Sequence, residues 1–418
     1  MTEYIKGMDI STLLEEEECG ARYFDDGVEG DALKILKKYG TNYVRLRIWN
    51  DPYDEEGNPY GAGTNDLKKT IVLAKRADAL GLKILLDFHY SDFWADPGKQ
   101  NVPKAWRGYS EKELEQAVYD YTVYVMKSLE ESGVRTDMVQ VGNEITNGLL
   151  WPTGKKPNFD EIALYINAGI RGVRAVDKEV PIMIHLDNGG FNSMYVEWFD
   201  NYIRRGEDFQ IIGLSYYPFW HGTLEELSFN MKDMAARYGK KIVVAEVSMG
   251  FTMDDYRIYE VPEDVLNFIY VKYYEEDGGR ESIIKKYNEL KYIEKHSEGD
   301  LADKDRVFVN ELDEYINANY MGKATRDNLI EKLTYPMSPE GQADFILDVM
   351  KRISEVEGGL GFFYWEPAWI PVPGCGWANE AALKYTGEKG PGGNEWANQA
   401  LFDYDGNVLP ALKTIKEY

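Results

Sequence analysis

Two glutamates in this sequence are placed to do chemistry. Glu144 closes the stretch Asp137-Met-Val-Gln-Val-Gly-Asn-Glu144, and Glu246 closes Lys241-Ile-Val-Val-Ala-Glu246. In both, a short apolar run delivers a carboxyl group at its end. Val139 and Val141 alternate with Met138 and Gln140, the two-residue period of a strand. Gly142 tolerates backbone angles that let the strand stop there. The Asn-Glu dipeptide alone says little, because it recurs at Glu289, Glu311, Glu380 and Glu395. Of those, only Glu311 follows an apolar run, and that run is short and set among charges. A solvated loop carboxylate is the plainer reading of any one of them. The repeated grammar at Glu144 and Glu246 shifts the balance. Two facing carboxyl groups suit glycoside hydrolysis: one protonates the leaving oxygen and the other attacks the anomeric carbon, at a separation of about 5–5.5 Å. Their pKa values must then differ.

A barrel of parallel strands would bring such carboxyl groups together, because barrel enzymes collect their functional residues at the carboxyl ends of strands. The sequence supplies eight candidates. They end near Ile10, Trp49, His89, Glu144, Asp187, Tyr217, Glu246 and Glu366. Helical periodicity separates them over 30–38, 66–80, 110–130, 160–176, 193–205, 224–238 and 338–354, several of these stopped by glycine. Short turns precede the strands and mostly longer loops follow them. The expectation is an α/β fold, a single (β/α)₈ TIM barrel spanning 1–418. An open doubly wound sheet lacks support, since no glycine-rich phosphate loop follows the first strand. The stretch 251–336 breaks the rhythm. It reads as a large insertion in the loop after strand 7, partly helical over 265–274 and turn-like over 275–280 and 297–305. A solvated decoration is an equal reading of it.

The strand tips gather Arg45 and Arg47, Asp87 and His89, Asn143 and Glu144, His185 and Asp187, Tyr216 and Tyr217, Glu246, Trp365 and Glu366. Asn143 is placed to bond a sugar hydroxyl. Arg45 or Arg47, together with Tyr217, can hold Glu246 ionised, and Trp365 can form a floor beneath a sugar. His89, His185, Asp87 and Asp187 are conceivable metal ligands. No His-x-His pair or His-Glu-x-x-His helix accompanies them, so no metal is expected. No Gly-x-Ser-x-Gly elbow supports a serine nucleophile.

Composition narrows the partners. With 47 basic and 72 acidic residues the net charge is −25. That disfavours nucleic acid and anionic membranes and favours a neutral ligand. Aromatic residues make up 14% of the chain, including 10 Trp and 31 Tyr, which suits stacking on sugar faces as well as core filling. No apolar run is long enough to span a membrane. Oligomeric state is not legible. With strand one close to Met1, a cytoplasmic location is expected if Met1 is the native start; the alternative is a secreted protein whose leader has been removed.

Longer runs carry a resemblance. Lys6-Gly-Met-Asp-Ile-Ser11, Val44-Arg-Leu-Arg-Ile-Trp49, Asp87-Phe-His-Tyr-Ser-Asp-Phe-Trp-Ala-Asp-Pro97, Val141-Gly-Asn-Glu-Ile145, Ser215-Tyr-Tyr-Pro-Phe-Trp-His-Gly222 and Phe363-Tyr-Trp-Glu-Pro-Ala-Trp-Ile-Pro371 resemble glycoside hydrolase family 53, the endo-β-1,4-galactanases. The resemblance implies a retaining hydrolase acting on β-1,4-galactan, with Glu144 as acid/base and Glu246 as nucleophile. Arg45, Arg47, Asp87, His89, Trp94, Asn143, His185, Tyr217 and Trp365 are then expected around the substrate. A structural calcium between the loops after strands seven and eight occurs in some similar bacterial members. Asp254 and Asp255 are followed here by Tyr-Arg-Ile, a different spacing, so calcium is not expected. The residues themselves leave open a mannan- or β-glucoside-cleaving barrel, or a barrel that only binds sugar.

Two cysteines, Cys19 and Cys375, exclude a disulfide framework and a zinc cluster. They fall after strands one and eight, which a closed barrel makes neighbours. Two free thiols are the plainer expectation, and a bridge is the alternative.

Overall fold

The computed structural model describes residues 3–296, 301–320, 333–389 and 392–418. Eight parallel strands close into a barrel: β1 (Ile5–Asp9), β2 (Tyr43–Ile48), β3 (Lys83–Phe88), β4 (Met138–Val141), β5 (Ile182–Leu186), β6 (Ile211–Tyr216), β7 (Lys241–Val247) and β8 (Gly359–Tyr364). Each pairs with its successor, and β8 pairs with β1 through Gly7↔Phe363 and Met8↔Tyr364. The chain is therefore the (β/α)₈ barrel its periodicities predict.

Successive strand side chains point to opposite faces, and here that alternation sorts apolar from polar. Outward residues such as Val44, Leu46, Ile84, Leu86 and Val139 pack into the layer shared with the helices. Inward residues, among them Ile5, Tyr43, Leu85, Met138, Met183 and Phe363, form a separate apolar plug inside the barrel. Two residues further along, the inward positions turn polar. Arg45 follows Tyr43, Asp87 follows Leu85, Gln140 follows Met138 and His185 follows Met183, all buried. The apolar plug is thus the floor under a buried polar layer.

Helix starts are fixed by side-chain caps that satisfy otherwise orphaned N–H groups. Asp66 accepts from Lys69 N ahead of the helix Leu67–Ala79. Ser110 with Glu113, and Thr223 with Glu226, form capping boxes at Glu111–Glu131 and Leu224–Tyr238. After β1 comes a small antiparallel hairpin, Tyr23–Asp25 with Val28–Gly30, that the periodicity reading did not include. No described helix is long and apolar enough to cross a membrane.

After β7 the chain forms a short 3₁₀ turn, Tyr256–Glu260, and the helices Glu263–Tyr274, Arg280–His296 and Asp303–Asn319. These share an apolar cluster of their own, including Leu266, Ile283, Tyr287, Phe308, Leu312 and Ile316. The sequence-predicted helix over 265–274 lies within the first of the three. The parts of the insertion at 297–300 and 321–332 fall outside the described residues. The insertion meets the loop after β8, where Asn394 Nδ2 donates to Glu260 Oε1 at 2.9 Å.

Candidate active site

Glu144 and Glu246 reach the barrel mouth by different local devices. After β4, Gly142 takes φ +85°, and Glu144 itself sits at φ +45°, a left-handed conformation that costs a residue bearing a Cβ of order 1–3 kcal/mol. Glu366, past the tip of β8, has the same feature at φ +47°. Glu246 depends on a bulge. Val243 and Ala245 both face the inner plug, so strict alternation would turn Glu246 outward. The β6–β7 register slips between Leu214↔Val244 and Ser215↔Glu246, and the extra residue rotates Glu246 into the barrel.

Glu246 is surrounded by donors. Arg45 Nη1 lies 2.9 Å from Glu246 Oε1, and Tyr217 Oη donates to Oε2 at 2.8 Å. Arg45 is held in turn by Asp9 Oδ2 at 2.7 Å, Asp87 Oδ2 at 2.9 Å and Asn143 Oδ1 at 2.7 Å. His89 Nε2 lies 3.0 Å from Asp87 Oδ2. Its Nδ1 receives hydrogen bonds from Trp49 Nε1 at 3.1 Å and Ala95 N at 3.2 Å, which places the imidazole proton on Nε2, facing Asp87. Burial leaves the pKa of Glu246 raised, with the Arg45 guanidinium and the Tyr217 hydroxyl opposing the rise and the Asp9 and Asp87 charges adding to it.

Glu144 has a poorer set of partners. Ser215 Oγ donates to its Oε1 at 2.5 Å, and His185 Nε2 stands 2.8 Å behind that hydroxyl. Burial pushes the Glu144 carboxyl well above the ordinary value, and the charges of Glu246 and Asp187 push it further. Of two facing carboxyl groups, the one without a cation takes the proton. One carboxylate oxygen from each glutamate and a His185 nitrogen all lie within 4.8 Å of one another. The imidazole nitrogens are already turned to protein partners, Nε2 to Ser215 and Nδ1 to Asn143 and Gln140. That closeness is therefore the carboxyl pair with a buried ring behind it.

The remaining sequence-predicted residues divide into two groups. Trp94, Tyr217 and Trp365 are half-buried at the mouth. The Trp365 ring centroid is 6.2 Å from Trp94, 6.3 Å from Tyr217 and 6.3 Å from Trp396, forming an aromatic wall. Arg45, Arg47, Asp87 and His185 are at most 1% exposed. They lie beneath the mouth, not in an open cleft: Arg45 joins Asp87 and Glu246, His185 backs Ser215, and Arg47 pairs with Glu366. His89 and Asn143 are nearly as deep. Asn143 Nδ2 donates to Ala95 O at 2.8 Å and its Oδ1 accepts from Arg45, so both ends of its amide are engaged. Of the two arginines offered to Glu246, the structure brings Arg45; Arg47 Nη1 instead pairs with Glu366 and Nη2 donates to Ala62 O at 2.9 Å.

The sequence reading missed Asp9, Gln140 and Ser215. Each is a buried polar residue within a strand of the apolar-lined barrel. A polar residue two positions past an inward apolar one was the available signal for Gln140, and Asp9 and Ser215 had none as clear.

The loops after β7 and β8 close on protein partners. Arg257 Nη2 lies 2.8 Å from Asp255 Oδ2, Tyr404 Oη donates to Asp254 O at 3.2 Å, and Asn398 Nδ2 donates to Thr252 O at 3.2 Å. An arginine thus occupies the Asp255 carboxylate, and a phenol and an amide turn to the two carbonyls. Nearby, Cys19 and Cys375 are free thiols; Cys375 Sγ donates to Glu16 Oε1 at 3.1 Å, and Cys19 Sγ lies beside Gly374.

Comparison with known proteins follows the same line. A family model described as glycosyl hydrolase family 53 matches residues 5–290 and 302–415. The endo-β-1,4-galactanase of Bacillus subtilis (strain 168) is 35% identical, over 99% of this chain and 86% of that protein. An arabinogalactan endo-β-1,4-galactanase of Humicola insolens is 32% identical, over 87% of this chain and 90% of its own. Among solved structures, the GH53 catalytic domain of Ignisphaera aggregans is 37% identical with a TM-score of 0.77, covering 99% of this chain and 95% of that one. A fungal β-1,4-galactanase is 28% identical with a TM-score of 0.69, and each chain is fully covered.

Proposed function

This chain belongs to glycosyl hydrolase family 53, and on that premise we propose that it is a retaining endo-β-1,4-galactanase, in which Glu246 is the nucleophile and Glu144 the acid and base. The observation that carries the mechanism is the approach of the two carboxyl groups, oxygen to oxygen within 4.8 Å. Retaining enzymes hold the pair about 5–5.5 Å apart, whereas inverting ones leave about 6.5–9.5 Å for a water.

In the first step Glu246, kept ionised by Arg45 and Tyr217, attacks the anomeric carbon while Glu144 gives its proton to the departing oxygen. A galactosyl ester on Glu246 results. In the second step Glu144, now ionised, takes a proton from water, and the water oxygen displaces Glu246. Arg45, Asp87 and His89 act by fixing Glu246, not by touching sugar. Trp94, Trp365 and Tyr217 supply apolar faces for galactose rings. The mechanism uses no metal, and the net charge of −25 is compatible with a neutral polymer.

Release of reducing ends from β-1,4-galactan, measured against mannan and arabinan, tests the assignment. Early appearance of mixed oligosaccharides from galactan alone is expected. Preference for mannan would transfer the protein to the neighbouring specificity, and release from none of the three would remove the catalytic reading.

A further inference from the structure

On the reading of Glu144 as acid and base, its proton has to sit on the oxygen that faces the sugar. Nothing in a carboxyl group distinguishes one oxygen from the other; the surroundings must. Oε1 is bonded to Ser215 Oγ at 2.5 Å. Among the described residues no hydrogen bond reaches Oε2. Behind Ser215 stands His185, both fully buried. Burial and the Arg45 charge hold the His185 pKa well below its usual value. The ring is therefore neutral, with one N–H and one acceptor.

Which nitrogen carries the proton follows from the other end of the ring. His185 Nδ1 lies 3.1 Å from Gln140 Nε2 and 3.0 Å from Asn143 Oδ1. Gln140 Nε2 is a donor, because its partner atom Oε1 accepts from Arg45 Nε at 3.3 Å. Asn143 Oδ1 already accepts from the charged Arg45 Nη2 at 2.7 Å, and the two hydrogens of Gln140 Nε2 serve three acceptors, His185 Nδ1, Asn143 Oδ1 and Gly142 O, each at 3.1 Å. The Arg45 cation behind Nδ1 disfavours a proton there, and the glutamate pair beyond Ser215 favours one on Nε2. Nε2–H then donates to Ser215 Oγ at 2.8 Å, and the hydroxyl hydrogen has one remaining acceptor, Glu144 Oε1.

We propose that Gln140, His185 and Ser215 are positioning residues that form a one-way hydrogen-bond chain into Glu144, reserving Oε1 as an acceptor so that the transferable proton is carried on Oε2. The chain serves both half-reactions without rearranging. Oε1 accepts from Ser215 whether Glu144 is a carboxylic acid or a carboxylate, and only Oε2 gains and loses the proton. The charged and titratable groups facing this chain are Glu246, Asp187 and Asp96 on the Glu144 side, and Arg45, Asp87, His89 and His221 around His185.

Nitrogen-15 NMR of histidine-labelled full-length protein reads the tautomer directly, and the chain has only four histidines to assign. His185 should show a protonated Nε2 and an acceptor-type Nδ1 across the active pH range. A protonated Nδ1 would overturn the proposal, because Ser215 would then point away from Glu144. Ser215→Ala removes the donor that favours the ionised acid. The alkaline limb of kcat/KM on galactan should move up by roughly one pH unit, a tenfold change in proton affinity. Activity below that limb should fall, more for galactan than for an activated aryl galactoside whose leaving group needs no proton. Ser215→Thr, which keeps the hydroxyl, should restore the limb. A limb that stays put or moves down, or equal losses on both substrates, would refute the chain. Failure of the wild-type protein to cleave galactan would refute the functional reading instead, and the tautomer would remain measurable.

Discussion

The two glutamates occupy opposite walls of one barrel mouth and are held by opposite means. Glu246 faces a full cation and a phenol, and the cation is shared with Asp9 and Asp87. Glu144 is bonded to a neutral serine backed by an uncharged histidine, has only the negative charges of Glu246 and Asp187 pressing on it, and its backbone is left-handed. Both are buried, so desolvation raises both, and the difference comes from what opposes it. On one wall a guanidinium opposes it; on the other a single hydroxyl does. One residue type can thus perform two tasks at one pH. The lesson is that the acid is made by withholding a cation as much as the nucleophile is made by supplying one.

Substituting the glutamates breaks the comparison most severely. Glu246→Ala should lower turnover on every substrate, on the order of 10⁶-fold, as removal of a nucleophile does elsewhere. Glu144→Ala should lose roughly 10²–10⁴-fold on galactan. It should keep part of its first step on an activated aryl galactoside, with azide restoring turnover through the vacated site. Equal and unrescued losses in stopped-flow and steady-state assays of both variants would contradict the division of roles.

Arg45→Met sharpens it. Removing one partner of a buried ionic cluster typically costs about 3–5 kcal/mol of stability, so a lowered Tm is expected by calorimetry. Activity requires ionised Glu246, and Arg45 pulls that pKa down. Without it the pKa rises, and the acid limb of kcat/KM should move to higher pH while the alkaline limb, set by Glu144, moves less. An acid limb in its original place would detach Arg45 from Glu246.

Trp365 and Trp369 offer a smaller contrast within one loop. Trp369 is 1% exposed and donates to Asn394 Oδ1 at 2.6 Å, so Trp369→Ala should cost about 3–5 kcal/mol. Trp365 lines the half-buried aromatic wall, and Trp365→Ala should raise KM for galactan several-fold with little change in Tm. A large loss of Tm at Trp365 would make it a core residue.

The smallest effect is expected at Cys19 and Cys375. Cys19 Sγ lies beside Gly374, the neighbour of Cys375, so a disulfide reagent such as oxidised glutathione should join the two thiols, each bridge releasing two protons and two electrons to the reagent. Thiol titration of the denatured protein should fall from two to none, with Tm raised by a few degrees and activity unchanged, because the bridge lies on neither glutamate wall. Two titratable thiols after treatment would contradict the approach of the two cysteines.

Much of this was legible in the residues. The strand ends were readable because apolar runs end in charge, and the helices because their caps and glycine stops are local. The turn at Asp26-Gly27, at φ +51° and +77°, carries a hairpin signal, but its three-residue strands are too short to show a period. The bulge at Glu246 was not legible: alternation from Val243 and Ala245 would have sent it outward, and only pairing with β6 sets its direction. The depth of Arg45, Arg47, Asp87 and His185 was hidden for a related reason. A charged residue at a strand tip looks the same in sequence whether it meets ligand or lies one layer below, and the layer is decided by barrel closure.

Double displacement at Glu246 leaves its signature in the configuration of the product. Proton NMR of the first oligosaccharides released from galactan in deuterated buffer, recorded before mutarotation, reads the configuration at the new reducing end. The β-anomer should appear first and the α-anomer only as mutarotation proceeds. Initial release of the α-anomer would mean a single inversion, and the pairing of Glu246 as nucleophile with Glu144 as acid and base would be wrong.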